Sequence, residues 1–241
     1  MTLWVAGVDG CRAGWAVVFR ALDGRAPPVF AVVPTFRALL DDPRQPATIA
    51  VDMPIGLPDR VGRGGRGPES AVRPLLGQRQ SSVFSVPSRA AVMADDYGEA
   101  CRRALATSDP PRKVSKQCFH LFPKIREIDA LITPALEARV FESHPEVAFW
   151  RLNDEAAMAS PKKIKGRVNP YGIAERAALL GRHGFDRGFL DQPLPRGVGR
   201  DDLIDAAVLA VIAERIVRDE AVSFPADPRR DSKGLRCGIW A

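Results

Sequence analysis

The sequence predicts an α/β fold in a single domain that covers residues 1–241. The chain is 46% apolar and 27% charged, a composition typical of globular proteins and unlike that of disordered or fibrous chains. Short apolar runs bounded by Gly, Pro and Asp precede longer stretches with helical periodicity. Such runs indicate strands that are buried on both faces, as in α/β domains.

The predicted strands and helices of this core follow one another in a simple order. The first 57 residues predict strands at 5–8, 15–19 and 29–33, a helix at 36–40 and a fourth strand at 48–51. A fifth strand is predicted at 139–144, and the two clearest later helices at 172–184 and 202–218.

Residues 58–132 differ from this core and predict a mainly helical insertion after the fourth strand. The segment opens with the run GRGGRG at 62–67 and has helical stretches at 97–106 and 116–131. Between residues 60 and 126 there are 13 Lys and Arg and 5 Asp and Glu, a net charge of +8, whereas the whole chain carries +6. A basic surface of this kind favours a nucleic-acid partner, although it also suits solubility alone.

The composition also excludes several classes of protein. The longest apolar run, at 206–213, is far shorter than the roughly 18 to 20 residues that span a bilayer. The first residues lack the pattern of a secretory signal, so we expect a cytoplasmic protein without a membrane partner. The cysteines at 11, 101, 118 and 237 are too scattered for a zinc site and are expected as free thiols.

Four aspartates stand where a carboxylate is costly unless it is paired or bound to a cation. Asp9 ends the first strand and Asp52 ends the fourth, although both residues also suit turns. On a helical wheel of the last helix, Asp205 falls inside the apolar stripe and Asp202 lies at its edge. Asp202 also suits the first turn of this helix, and Asp201 is expected as its N-cap.

If these acids converge at one edge of the sheet, they repel one another and raise each other's pKa values. Divalent cations relieve such repulsion, and carboxylate oxygens suit hard ions such as Mg²⁺ or Mn²⁺. Two ions about 4 Å apart activate a water molecule and stabilise the leaving oxygen of a phosphodiester. The pattern therefore favours hydrolysis of phosphodiester bonds with two metal ions.

The strand order, the placement of the acids and the closing run DLIDAA at 202–207 resemble the ribonuclease H-like fold and its Holliday-junction-resolvase branch. Four further motifs are GVDGCRAGW at 7–15, VDMPIGL at 51–57, SVFSVPSR at 82–89 and ESHPEV at 142–147. Together they resemble a family of unknown function, DUF429, described as predicted RNase H-like nucleases. This second resemblance spans nearly the whole chain, including the insertion.

The resemblance implies a mixed five-stranded sheet flanked by helices. It also implies a metal site formed by Asp9, Asp52, Asp202 and Asp205. Resolvases carry a Glu on the fourth strand, so Asp52 is one methylene shorter than the ligand of those enzymes.

Glu142 is a further candidate catalytic acid within one of the motifs. By the two-residue period of a strand, Glu142 and His144 share a face. Glu142 is therefore a fifth acidic ligand, a residue that positions His144, or part of a solvated rim.

Basic residues near the motifs are candidates for contacts with nucleic-acid phosphates. They are Arg12, Arg89, Lys116, Lys162, Lys163 and Lys165. Arg89 ends the serine-rich run at 81–89, which either contacts phosphates or closes over the site as a loop. The lysines at 162–165 form a basic run that also suits a solvated face.

We expect a metal-dependent nuclease and, as for many resolvase-like enzymes, a homodimer. Two alternatives stay open at this point. A phosphotransferase of the actin-like and sugar-kinase class shares the strand layout, although such enzymes normally use two domains of this kind. A binding module that holds nucleic acid without cleaving it is the other alternative.

Overall fold

The computed structural model describes residues 2–241, which form an α/β fold. The strands are β1 Trp4–Cys11, β2 Gly14–Ala21, β3 Val29–Val33, β4 Thr48–Val51, β5 Val140–Glu142, β6 Lys163–Ile164, β7 Arg167–Val168, β8 Ser223–Arg230 and β9 Arg236–Trp240. The α-helices are α1 Phe36–Leu40, α2 Pro68–Val72, α3 Arg89–Val92, α4 Tyr97–Ala106, α5 Lys116–Leu131, α6 Pro145–Leu152, α7 Pro170–Arg182, α8 Arg187–Asp191 and α9 Arg200–Val217. Segments of 3₁₀ helix occupy Arg73–Ser82 and Leu136–Ala138.

The central sheet has five strands in the order β3-β2-β1-β4-β5. Strands β1, β2 and β3 pair antiparallel, whereas β1, β4 and β5 run parallel, so the sheet is mixed. Val8 pairs with Val51, and Val51 pairs with Glu142. The carboxyl ends of the three parallel strands therefore lie side by side. With helices on both faces, this is the ribonuclease H-like architecture that the motifs predict.

Different helices cover the two faces of the sheet. Val5 of β1 packs in one apolar cluster with α6, α7 and α9, whereas Ala6 and Val8 pack in another with α1 and α5. This alternation follows the two-residue period of a strand. The insertion is therefore part of the core, because its helix α5 covers one face of the sheet.

A direct contact between two backbones joins β1 to α9. A Cβ placed on Gly7 would lie 2.0 Å from the amide nitrogen of Ala210 and 2.1 Å from the carbonyl oxygen of Ala206. Only glycine permits strand and helix to approach this closely. Because Asp205 precedes Ala206, the contact also sets the position of Asp205 relative to β1.

The structure extends the predicted elements in two places where proline obscures the pattern. Pro145 follows the predicted fifth strand, but it opens helix α6, where its fixed φ suits the first helical turn. The hairpin of β8 and β9 was not predicted, because Pro225 and Pro228 within β8 argue against a strand. The pairing of this hairpin is interrupted by a shift of register between Phe224 and Arg229.

Within residues 2–241, no helix is both long and apolar enough to cross a membrane. The four cysteines are buried and form free thiols, as their spacing predicts.

Substitution of Gly7 tests the contact between β1 and α9. Gly7→Ala is expected to lower the free energy of unfolding by about 3 kcal/mol, because the added methyl group forces the strand away from the helix. Gly181→Ala in α7 is the matched control, since a Cβ there meets no atom within 4 Å and alanine favours a helix. Urea denaturation followed by circular dichroism measures both changes, and wild-type stability of Gly7→Ala would contradict the interpretation.

Candidate active site

Four aspartates line one cavity at the carboxyl edge of the parallel strands. Asp9 lies near the end of β1, Asp52 directly follows β4, and Asp202 and Asp205 lie near the start of α9. The cavity has a volume of about 550 Å³. The structure thus brings the four residues together, while their roles in catalysis and metal binding stay predictions.

The carboxylates of Asp9 and Asp52 are repelled by the other acids of the cavity. Asp9 Oδ1 accepts a hydrogen bond of 2.7 Å from the backbone amide of Gly10. Burial raises the pKa of Asp9 well above its ordinary value, and the charges of Asp205 and Asp52 raise it further. Burial and then the charge of Asp205 raise the pKa of Asp52 to about 7. Both groups therefore favour protonation or a nearby cation.

Asp205 is the acid that the helical wheel placed in the apolar stripe, and it is only 5% exposed. Its Oδ2 atom binds the ammonium group of Lys162, whereas its buried Oδ1 atom has no hydrogen-bond partner. Burial raises the pKa of Asp205 to about 6, although Lys162 acts to lower it. An unpartnered buried oxygen is costly and is the kind of atom that a bound ligand satisfies.

Asp202 has a structural contact at the start of α9. The N-cap of α9 is Gly199, not Asp201 as the sequence predicts, and the Gly199 amide donates to Asp202 Oδ2 at 2.7 Å. Asp202 therefore closes the first turn of the helix, and burial raises its pKa. Asp201 instead forms an ion pair of 2.5 Å with Lys163.

Glu142 lines the cavity, but its carboxylate is occupied by structural contacts. Arg66 donates to both oxygens of Glu142, at 2.5 and 3.0 Å, and the Ile55 amide donates to Oε2 at 2.8 Å. Arg66 also pairs with Glu69 at 2.7 Å, and both acids are buried. The expectations of a solvated rim and of a contact with His144 are therefore wrong, whereas the catalytic role of Glu142 stays a prediction. The acid neutralises a buried arginine.

Glu146 is an acid of the cavity that the sequence did not single out. Both of its oxygens accept hydrogen bonds from the buried Arg176, and Oε1 lies 3.7 Å from Lys162 Nζ. Burial acts to raise its pKa, but Lys162 and Arg176 outweigh burial and the pKa is lowered. Its position in the first turn after a parallel strand was the available signal, since this edge collects site residues.

The predicted phosphate-binding residues occupy different environments. Arg89 forms ion pairs with Asp129 and Asp231 and thereby joins the insertion to the C-terminal hairpin, and its contact with phosphates stays a prediction. Lys162 lies in the carboxylate cavity and not on an exposed face. The side chains that remain at the surface are Arg12, Lys116, Lys163 and Lys165.

The insertion forms part of the cavity wall through residues 78–86, which we call the insertion wall. Two buried nitrogen atoms without partners belong to residues of this cavity, Arg79 Nε and His144 Nδ1. The other ring nitrogen of His144 lies 3.4 Å from the Ser82 carbonyl oxygen. Polar groups from the insertion therefore complete a cavity whose other side is acidic.

By its chemistry, the donor set of the cavity fits a hard divalent cation. Carboxylates with raised pKa values and the unpartnered Asp205 Oδ1 are the oxygen ligands that Mg²⁺ and Mn²⁺ prefer. In the part of the chain that the structure describes, however, no three His, Cys, Asp or Glu side chains are grouped closely enough to hold one ion. Side-chain movement is therefore required before several of these acids share an ion.

The sheet order and the acids of β1, β4 and α9 together define a ribonuclease H-like domain with an acidic cavity at the carboxyl edge of its sheet. Residues 7–230 match the family described as "Protein of unknown function (DUF429)". The chain belongs to this family. No curated protein and no solved structure matches the chain.

Arg66 is expected to be essential for stability. Arg66→Met should lower the free energy of unfolding by about 3–5 kcal/mol, because Glu142 and Glu69 stay buried without their cation. Adding Glu142→Gln should recover part of this loss, since a neutral amide needs no cation. Arg102→Met, at an exposed ion pair with Glu99, is the control and should leave urea denaturation unchanged.

His144 should contribute to the pH dependence of stability. Burial lowers its pKa to about 4 from 6.5, so between these values the unfolded chain binds more protons. Stability therefore falls as pH falls through this window, by about 3 kcal/mol from this group. Urea denaturation across the window should show the stability of the wild type decreasing relative to that of His144→Gln as pH falls, because the raised pKa values of the aspartates act equally in both proteins. His120→Gln, at an exposed position of α5, is the control, and identical pH curves for all three proteins would refute the assignment.

Proposed function

We propose that this protein is a nuclease that hydrolyses phosphodiester bonds with the help of divalent metal ions. The observation that carries the proposal is the group of four aspartates in one cavity, with Asp205 Oδ1 buried and unpartnered. Mutually repelling carboxylates are an unstable arrangement without a cation, and evolution retains such arrangements mainly at functional sites.

The metal ligands in this proposal are Asp9, Asp52, Asp202 and Asp205. Mg²⁺ or Mn²⁺ held there supplies a positive charge that activates a water molecule and stabilises the leaving oxygen. The chain itself buries the acids that line the cavity, since Asp9 and Asp205 are both less than 10% exposed. Removing water from a charged site strengthens each electrostatic interaction within it.

Nucleic acid is the proposed substrate because the insertion that forms part of the cavity wall carries a net positive charge. The insertion supplies a net charge of +8 between residues 60 and 126, and its wall at 78–86 contributes Arg79 to the cavity. The exposed side chains of Arg12, Lys116, Lys163 and Lys165 offer further contacts to a phosphate backbone. A cytoplasmic location and a homodimer are also part of this proposal.

Cleavage assays on single-stranded, duplex and branched oligonucleotides, with and without Mg²⁺ or Mn²⁺, test the function. Asp205→Asn should reduce metal-dependent cleavage by about 100-fold or more, because it removes one charged group from the cavity. The matched control is Asp201→Asn, one turn earlier on α9, where the acid pairs with Lys163 outside the proposed ligand set.

Circular dichroism and thermal unfolding establish that both variants are folded. Equal activity of Asp205→Asn and Asp201→Asn would refute the proposed site, and absence of cleavage by the wild type on every substrate and metal would refute nuclease activity.

A further inference from the structure

Lys162 places a positive charge inside the carboxylate cavity. Its Nζ atom binds Asp205 Oδ2 and lies 3.7 Å from Glu146 Oε1, and its side chain is only 19% exposed. Lys162 is therefore a charged group of the cavity, whereas Lys163, the next residue, is half exposed and pairs with Asp201.

The backbone around Lys162 is anchored to α7 and its N-terminus. The Asn169 amide donates to the Lys162 carbonyl oxygen at 2.7 Å, and the Asn169 side chain donates to the Pro161 carbonyl oxygen at 2.8 Å. A Cβ on Gly172 would lie 2.1 Å from that same Pro161 oxygen, so the segment lies directly on the helix. These contacts hold the backbone of Lys162 beside the cavity.

The ammonium group of Lys162 competes with metal ions for the carboxylate of Asp205. A two-ion site requires carboxylates that bridge or flank both ions about 4 Å apart. Asp205 has one oxygen bound to Lys162 and only Oδ1 remaining. A divalent ion beside Asp205 Oδ2 would be repelled by the ammonium group at close range. Within residues 2–241, moreover, no three His, Cys, Asp or Glu side chains are grouped to hold an ion, whereas Mg²⁺ is commonly held by one or two carboxylates with water.

We propose that Lys162 takes the place of one of the two divalent ions, so that the cavity binds a single Mg²⁺ or Mn²⁺. The inference rests on the proposed function, because it assigns the cations of the same site. Lys162 supplies a fixed positive charge next to Asp205, and the acids of β1 and β4, Asp9 and Asp52, hold the ion. A lysine predicted to contact the nucleic-acid backbone becomes an internal cation of the reaction site.

Titration of the full chain with Mn²⁺ alone, followed by calorimetry and by the electron paramagnetic resonance of free Mn²⁺, counts the bound ions. The wild type is expected to bind one ion. Lys162→Met removes the charge at similar length and is expected to bind two. Lys162→Arg retains the charge, and Lys163→Met removes the neighbouring exposed charge, so both should bind one.

Each outcome of the titration decides the matter. A wild-type count other than one overturns the proposal, and so does a Lys162→Met protein that is folded by circular dichroism and still binds one ion with unchanged affinity. If Lys162→Met does not fold, Lys162→Gln provides the same comparison, and the wild-type count stands without either variant.

The outcomes for the number of bound ions and for nuclease activity can be distinguished from each other. Metal-dependent cleavage by a wild-type protein that binds two ions would retain the nuclease and remove the role of Lys162. One bound ion without cleavage of any oligonucleotide would retain the ion count and remove the nuclease.

Discussion

At Gly7 the backbone of β1 touches the backbone of α9, and this contact sets the distance between the central strand and the longest helix of the core. A strand normally meets a helix through side chains, which keep the two backbones apart, whereas a glycine lets another backbone approach closely. Because Gly7 has no side chain, α9 packs directly on the backbone of β1, and Asp205 lies close to Asp9 near the end of the strand. The register of β1 with β4 then adds Asp52. The geometry of the acidic cavity is therefore a result of packing in the core.

The buried acids of the cavity differ in how their charge is balanced. Glu142 and Glu146 each face a buried arginine, Arg66 and Arg176, that donates to both carboxylate oxygens. Asp9 and Asp52 have no comparable arginine, and burial together with the charge of Asp205 raises the pKa of each. Since an unbalanced buried charge costs several kcal/mol, the fold concentrates this cost at one edge of the sheet.

The sequence predicted the succession of the core strands along the chain and the four aspartates because both depend on local pattern, whereas the mixed five-stranded sheet followed only from the resemblance to ribonuclease H-like proteins. Asp205 was visible as an acid inside the apolar stripe of a helix, and Asp9 and Asp52 as acids that end apolar strands. The partners of buried charges were not visible, because they come from distant segments. Arg66 lies 76 residues before Glu142, and Lys162 lies 43 residues before Asp205. The basic run around Lys162 has no periodicity, so the sequence does not indicate which of its lysines is buried.

The ion pair between Arg89 and Asp231 joins two segments that are 142 residues apart, and Asp231 also accepts the amide of Leu57 at 2.9 Å. At ordinary rates of translation, a ribosome needs on the order of ten seconds to add that length of chain. During this interval the insertion can already pack its helix α5 on the sheet, but Arg89 and the Leu57 amide still lack Asp231. The nascent domain therefore closes this last polar link between the insertion and the C-terminal hairpin only after the rest of its core has been synthesised.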